Sequence, residues 1–371
     1  MIEVLRRLAG LGAGVALVAM LLMPQASQAA EVVDLRGRTV TVPDHVDKLS
    51  IDDGRYLIAL SLISSDPVDL LAAWPRDINR LGEASWQRYR KAFPRLDSLP
   101  RVASSADDFD TEAVLAAAPD VAVVSLGRGP TDTQIAQLQA AGIAVVFIDF
   151  FTDPFAHQAQ SLKLLGQLTG HQQQAQAYLD FRREHLDRIS SRLDDQTPAP
   201  SVFLEAHAGM TNDCCFAVGK GGIGQYLDFV GSHNIGADVL DRPSGKLNLE
   251  YVISRDPDVY IATGGPDLKG ANGLVLGGGV DADTSRDSLE RITQRPGIAE
   301  LTAVKEGNVH GLAHQLLNSP LDIVAIEAFA HWIHPDLFAD IDPAATLETI
   351  NRRFLAVPYE GTGWVDLDNS H

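Results

Sequence analysis

The sequence predicts an α/β protein of two similar Rossmann-like lobes, each on a mainly parallel sheet, joined by a long helical linker. Three observations carry that expectation. One phrase is written twice in register, strand-like and helix-like segments alternate around each copy, and a helical stretch of about forty residues lies between them.

The phrase is TEAVLAAAPDVAVVSLG from Thr111 to Gly127, answered by NLEYVISRDPDVYIATGG from Asn248 to Gly265. In both, a glutamate (Glu112, Glu250) precedes Pro-Asp-Val by the same interval. Each copy reads as a short helix stopped by a proline (Pro119, Pro257), an aspartate at the turn, and a β-branched run entering a buried strand at Val121 or Val259. The copies lie far further apart than the roughly 20 to 50 residues of a solenoid repeat, so they mark two lobes.

Before the first lobe, Arg6 and Arg7, an apolar run and the small residues around Ala29 and Ala30 read as a cleavable signal peptide over residues 1–30. The apolar run is shorter than the roughly 20 residues of a membrane span, and no cysteine follows it to carry a lipid. The expected location is therefore the periplasm. Residues 31–152 form the first lobe: a hairpin in VVDLRGRTVTVPDHV, then strands in KLSI, DLLAAW, AVVSLG and AVVFIDF with helices between. Residues 153–197 begin with Asp-Pro and contain almost no β-branched residues, so they form one long helix or two abutting ones broken near Gly170. Residues 198–371 repeat the alternation, with strands in SVFLEA, VYIATGG and, last, NVHGL, and a terminal helix from Pro320 through His331.

A composition of 45% hydrophobic and 21% charged residues is that of a globular protein. The formal charge of −19 repels nucleic acid and anionic lipid, so neither is expected as a partner. The two cysteines, Cys214 and Cys215, are adjacent and cannot staple distant segments; a vicinal disulfide and two buried thiols both remain open. Two cysteines are also too few for a structural zinc. No G-x-S-x-G elbow or H-E-x-x-H pair supports a hydrolase. The glycines of GKGGIG, Gly219 to Gly224, satisfy a dinucleotide pattern, but the apolar run before them is short; they read as a loop that starts a helix.

Taken with KAFPRLDSLPRV (91–102), GQYLDFVGSHNIGADVL (224–240), RPGIAELTAVKEGNVHGL (295–312) and SPLDIVAIEAFAHWIHPDLF (319–338), the hairpin, doubled phrase and linker resemble the periplasmic substrate-binding proteins of iron-siderophore, haem and cobalamin ABC importers. The resemblance implies a two-lobed clamp with a rigid helical hinge. It also implies a monomeric carrier without catalytic residues, resident metal or cofactor, which takes a ferric siderophore, or alternatively haem or cobalamin, to an inner-membrane permease with its cytoplasmic ATPase. Docking on that permease is expected from exposed acidic residues, with Glu83 as the candidate in the first lobe.

Ligands of open parallel sheets bind beyond the carboxyl ends of the strands. Those ends lead into DDGRY, WPRD, LGRG and FFTDP in the first lobe, and into HAGMTNDCC, GGPDLKG and AHQLLNS in the second. Arg55 and Arg128 are candidates because a guanidinium fork suits the oxygen-rich face of a chelate. Tyr56, Trp74 and Trp86 offer stacking area, with core packing as the alternative, most of all for Trp86. His207 and His314 follow second-lobe strands and suit either metal ligation or hydrogen bonding.

Overall fold

The computed structural model describes residues 30–77, 82–127, 129–211 and 214–367. The apolar leader and Arg128 lie outside the described residues. Among those described, no helix is long and apolar enough to cross a membrane.

The chain opens with the expected hairpin, Ala30–Val33 (β1) antiparallel to Thr39–Val42 (β2). Asp34 closes its turn by accepting the Arg36 and Arg38 backbone N–H groups at 3.0 and 3.1 Å. The first sheet runs Leu71–Ala73 (β4), Leu49–Ile51 (β3), Val121–Ser125 (β5), Ala144–Ile148 (β6), all parallel. Every residue of β5 and β6 is buried, as the continuous apolar runs require of a parallel sheet covered on both faces.

The second sheet has a parallel centre of Ser201–Glu205 (β7), Val259–Gly264 (β11) and Val309–Ala313 (β13), with His233–Asn234 (β9) beside β7. Antiparallel edges complete it: Phe216–Val218 (β8) and Ser244–Lys246 (β10) on one side, Trp364–Asp366 (β15) on the other. Gly277–Gly278 (β12) and Gly361–Thr362 (β14) form a separate short ribbon. NVHGL is thus not the last strand, because three residues of β15 add to its edge. The helix expected from Pro320 runs Asp322–Ile333 and is not terminal, since Pro343–Arg353 follows. A three-residue strand draws its stability from the β13 ladder and leaves too short a pattern to read.

The doubled phrase folds twice in the same way, in different sheets. Helix Thr111–Ala117 leads to β5 and helix Leu249–Arg255 to β11. Val114 and Val252 are the buried residues of the two helices. Both helices end on a left-handed residue, Ala118 (φ 45°) and Asp256 (φ 43°), immediately before the proline. Such a residue turns the chain sharply, and the proline forbids another helical turn.

Between the sheets lie two abutting helices, Pro154–Thr169 and Gln172–Ser190. The Asp153 side chain caps the first by accepting the Ala156 N–H at 3.1 Å, and Gly170 (φ 73°) ends it. The second packs against helix Tyr56–Ile63 of the first lobe and against Asp322–Ile333 of the second. It is pinned there by Arg182 on Asp322 and by His185 Nδ1 on Glu327 Oε1 at 2.6 Å. A second tie comes from the C-terminal segment, whose Ala356 and Val357 N–H groups donate to Ser61 Oγ, and whose Glu360 pairs with Arg88. Here helix Glu83–Ala92 meets β12: a Cβ on Gly279 would lie 2.4 Å from that of Ala84, so only glycine permits this approach.

Candidate functional site

A crevice of about 200 Å³ opens where strand ends of both sheets converge. Arg55 comes from the segment after β3, His207 from the end of β7, Gly264, Gly265 and Asp267 from the end of β11, and His314, Gln315 and Asn318 from the end of β13. Gly264 is required for packing, since a Cβ there would lie 2.1 Å from the Leu274 carbonyl oxygen.

Arg55 is held rather than free. Its Nε and Nη2 donate to Asp53 at 2.9 and 2.7 Å, and its guanidinium lies 3.5 Å from the centroid of the Phe151 ring. Asp53 is fully buried and also accepts the Ser105 hydroxyl at 2.9 Å. Next to it, buried Asp52 accepts the Ser125 N–H at 2.8 Å and the Ser125 O–H at 2.9 Å. Burial pushes the Asp52 carboxyl up to about 7 against those two hydrogen bonds, with Asp53 adding to the rise. The first-lobe wall therefore carries one cation over two buried carboxyl groups.

The second-lobe wall carries two imidazoles. The His207 and His314 ring centroids are 3.9 Å apart, and both side chains are half-buried. His207 stands at φ 50°, a left-handed backbone uncommon for a residue with a side chain. Its N–H donates to Thr263 Oγ1 at 3.0 Å, and the Ala208 N–H donates to the Thr263 carbonyl at 2.8 Å. His314 Nδ1 lies 2.9 Å from the same hydroxyl, and its Nε2 lies 2.7 Å from Asn318 Nδ2. Burial lowers the pKa of His207, against the opposing charge of Asp267. Burial, then His207 and Arg55, hold His314 well below its ordinary value. Both imidazoles are therefore neutral at pH 7.

Of the residues singled out in the sequence, Arg55, His207 and His314 come together in this crevice. Tyr56 does not offer a stacking face. It is wholly buried, donates its O–H to Ser125 Oγ at 2.7 Å, and stacks on Phe151 with an interplanar angle of 3°. Trp74 is likewise wholly buried, its Nε1 donating to the Leu96 carbonyl at 3.3 Å and its ring 4.9 Å from that of Trp86. Trp86 is also core. Glu83 is exposed at the start of its helix and is not among the residues that line the crevice, although its neighbour Gly82 packs against Gln315. Asp267, Gln315 and Asn318 complete the lining without any residue-level signal in the sequence, although the segments that carry them are the ones at the strand ends.

Cys214 and Cys215 form a vicinal disulfide at the far end of the loop that begins at His207. Cys215 is fully buried, and its carbonyl accepts the Leu247 N–H at 2.9 Å. Cys215 is thereby held to the segment that follows strand β10. The GKGGIG glycines start helix Gly224–Phe229, where a Cβ on Gly224 would meet the Gly219 carbonyl oxygen at 2.1 Å. Among the described residues, no three His, Cys, Asp or Glu side chains converge to hold a metal ion.

A family model described as periplasmic binding protein matches residues 60–316. Among solved structures, the TroA-like periplasmic binding protein FepB from Veillonella parvula is 24% identical over 91% of this chain and 99% of its own, with a TM-score of 0.82. The molybdate periplasmic binding protein MolA from Haemophilus influenzae is 18% identical over 90% and 99%, with a TM-score of 0.67. A periplasmic haem-binding protein from Pseudomonas aeruginosa is 20% identical over 88% and 99%, with a TM-score of 0.55.

Proposed function

This chain belongs to the periplasmic binding protein family, and on that premise we propose that it captures a ferric siderophore in the periplasm and delivers it to an inner-membrane ABC permease. The observation that carries the ligand is the crevice itself, where a guanidinium faces two neutral imidazoles, an amide pair and a carboxylate. That lining suits an anionic, oxygen-rich complex around a metal. Two of the similar structures are described as binding molybdate and haem, both metal-centred solutes. Haem needs a broad apolar slot, and with Tyr56 and Trp74 buried in the core the crevice lining contains, among the described residues, no aromatic side chain apart from the two imidazoles. A volume of about 200 Å³ is below the roughly 300 to 1,000 Å³ that encloses a drug-sized ligand, so the crevice would take the metal end of a chelate and leave its periphery at the mouth.

Fluorescence titration of the mature protein against a panel of ferric siderophores, haem and cobalamin tests this. A ferric siderophore should saturate the signal; saturation by haem or cobalamin alone would reverse the assignment. Arg55→Ala should weaken siderophore binding about tenfold or more, because a charge-assisted hydrogen bond contributes roughly 1.5 to 3 kcal/mol and about 1.4 kcal/mol is a factor of ten. Arg55→Lys keeps the charge and loses the fork, so it should fall between. Equal affinities in all three would mean that Arg55 serves Asp53 alone.

For the permease we place the contact on exposed acidic residues: Glu83, and the repeat-related pair Glu112 and Glu250. Both of the latter are exposed in the first turn of their helices. Each helix passes directly into its strand, so its first turn lies toward the strand carboxyl ends, the crevice side. Leu115 and Ile253, at 37% and 38% exposure, stand one turn further along the same faces. Reversing the charge of Glu112 and Glu250 together should abolish transport and spare siderophore affinity. A drop in affinity would instead assign them to the pocket, and unchanged transport would remove them from the interface.

A further inference from the structure

Thr263 is fully buried at the crevice end of β11, and its hydroxyl touches both imidazole-bearing residues. It accepts the His207 backbone N–H at 3.0 Å and lies 2.9 Å from His314 Nδ1. On the other side of the same ring, Asn318 Nδ2 lies 2.7 Å from Nε2. An amide NH2 group only donates, so with Asn318 Nδ2 turned to the ring Nε2 accepts; a neutral imidazole in that arrangement carries its hydrogen on Nδ1 and donates it to Thr263 Oγ1. A hydroxyl oxygen has two lone pairs, enough for both donors.

We propose that Thr263 and Asn318 are positioning residues that fix His314 as the tautomer protonated at Nδ1, so that a lone pair on Nε2 faces the crevice under one amide group. When the Asn318 side chain turns aside, that lone pair meets the incoming solute. It attracts an electron-pair acceptor, either a metal with a free coordination position or an N–H or O–H group, and it repels an oxyanion. The wall is thereby set against bare tetrahedral oxyanions, although Arg55 opposite would attract them. The selectivity rests on the crevice being the binding site, as proposed above; the tautomer does not.

The test is the long-range ¹H–¹⁵N spectrum of the labelled mature protein, which separates a pyrrole-type from a pyridine-type ring nitrogen. His314 should show hydrogen on Nδ1 and a bare Nε2. Thr263→Ser should preserve that pattern, and Thr263→Val, which leaves the Asn318 donor in place, should keep hydrogen on Nδ1 while removing its acceptor. Asn318→Asp replaces the donor by an acceptor and should place hydrogen on Nε2, which keeps the test open even if the valine variant folds poorly. Hydrogen on Nε2 in the unaltered protein, or a pattern indifferent to Asn318→Asp, overturns the proposal. Sodium molybdate added at millimolar concentration should leave the His314 signals in place; a saturable shift would overturn the selectivity. If the tautomer is as stated while no ferric siderophore binds, the positioning role stands and the assignment of cargo fails.

Discussion

Asp322→Ala is expected to lose about 3 to 5 kcal/mol of stability, the cost of leaving an uncompensated charge in a protein interior. Arg182 reaches Asp322 through two parallel bonds, Nε to Oδ1 at 2.9 Å and Nη2 to Oδ2 at 2.6 Å. Asp322 is fully buried and Arg182 is 6% exposed. Burial disfavours the guanidinium charge, and the carboxylate more than offsets this, raising the Arg182 pKa above its ordinary value. Few neighbours are left to take over: the Tyr178 hydroxyl donates to the Pro320 carbonyl, and that of Tyr226 to the Leu317 carbonyl. Removing Asp322 thus strands a cation where the linker joins the second lobe. The double variant Arg182→Met, Asp322→Leu should recover most of the loss, because a packed apolar pair replaces a buried ion pair at little cost. Arg183→Ala breaks the exposed pair with Asp180 on the same helix and should cost no more than about 1 kcal/mol. Denaturant unfolding measures all three, and an Asp322→Ala loss as small as that of Arg183→Ala would show that water reaches the guanidinium.

The doubled phrase was legible because its signals are local. Seven helical residues, a proline stop and a β-branched run each act within a few residues, so position alone places Val121 and Val259 at strand starts. Gly170 as the break between the linker helices is legible for the same reason. The site was legible only in part. That ligands meet strand carboxyl ends follows from topology, and it led to Arg55, His207 and His314. Whether a side chain at such an end turns outward depends on packing that spacing does not encode. Tyr56 begins YLIALSLI, which is apolar on every face but for Ser61, and a helix of that kind is buried on every side. Trp74 is covered by Trp86, twelve residues away, a contact that periodicity does not reveal. Gln315 lies in the single helical turn His314–Leu317, Asn318 caps it and Asp267 lies in the 3-10 turn Pro266–Ala271, segments too short for polar residues to carry a pattern until both sheets are in place.

Asp52→Asn should be the more stable protein at pH 8 and should lose that advantage on acidification. Asp52 lies at the end of β3 with both oxygens engaged by Ser125, and burial, assisted by Asp53, pushes its pKa from 3.8 to about 7. The folded state therefore binds this proton more tightly than the unfolded chain does. For a raised folded-state pKa the stabilising contribution is complete below the unfolded value and is lost as pH rises through the folded one. The window runs from about pH 4 to about pH 7, and at roughly 1.4 kcal/mol per pH unit the span amounts to about 4 kcal/mol. Other carboxylates act in the opposite sense; hydrogen bonds from Arg192 hold exposed Asp340 down to about 2. The informative quantity is therefore the difference between the two proteins at each pH, not either curve alone. Asparagine carries no charge at any pH, and its amide can still accept the Ser125 N–H while donating to the Ser125 hydroxyl, which then turns toward Tyr56. Unfolding free energies of both proteins between pH 4 and pH 8 should diverge steadily with rising pH, the aspartate form falling behind. Parallel curves would mean that Asp52 stays ionised in the folded protein, hydrated from the crevice, and that the two carboxylates beneath Arg55 are both charged.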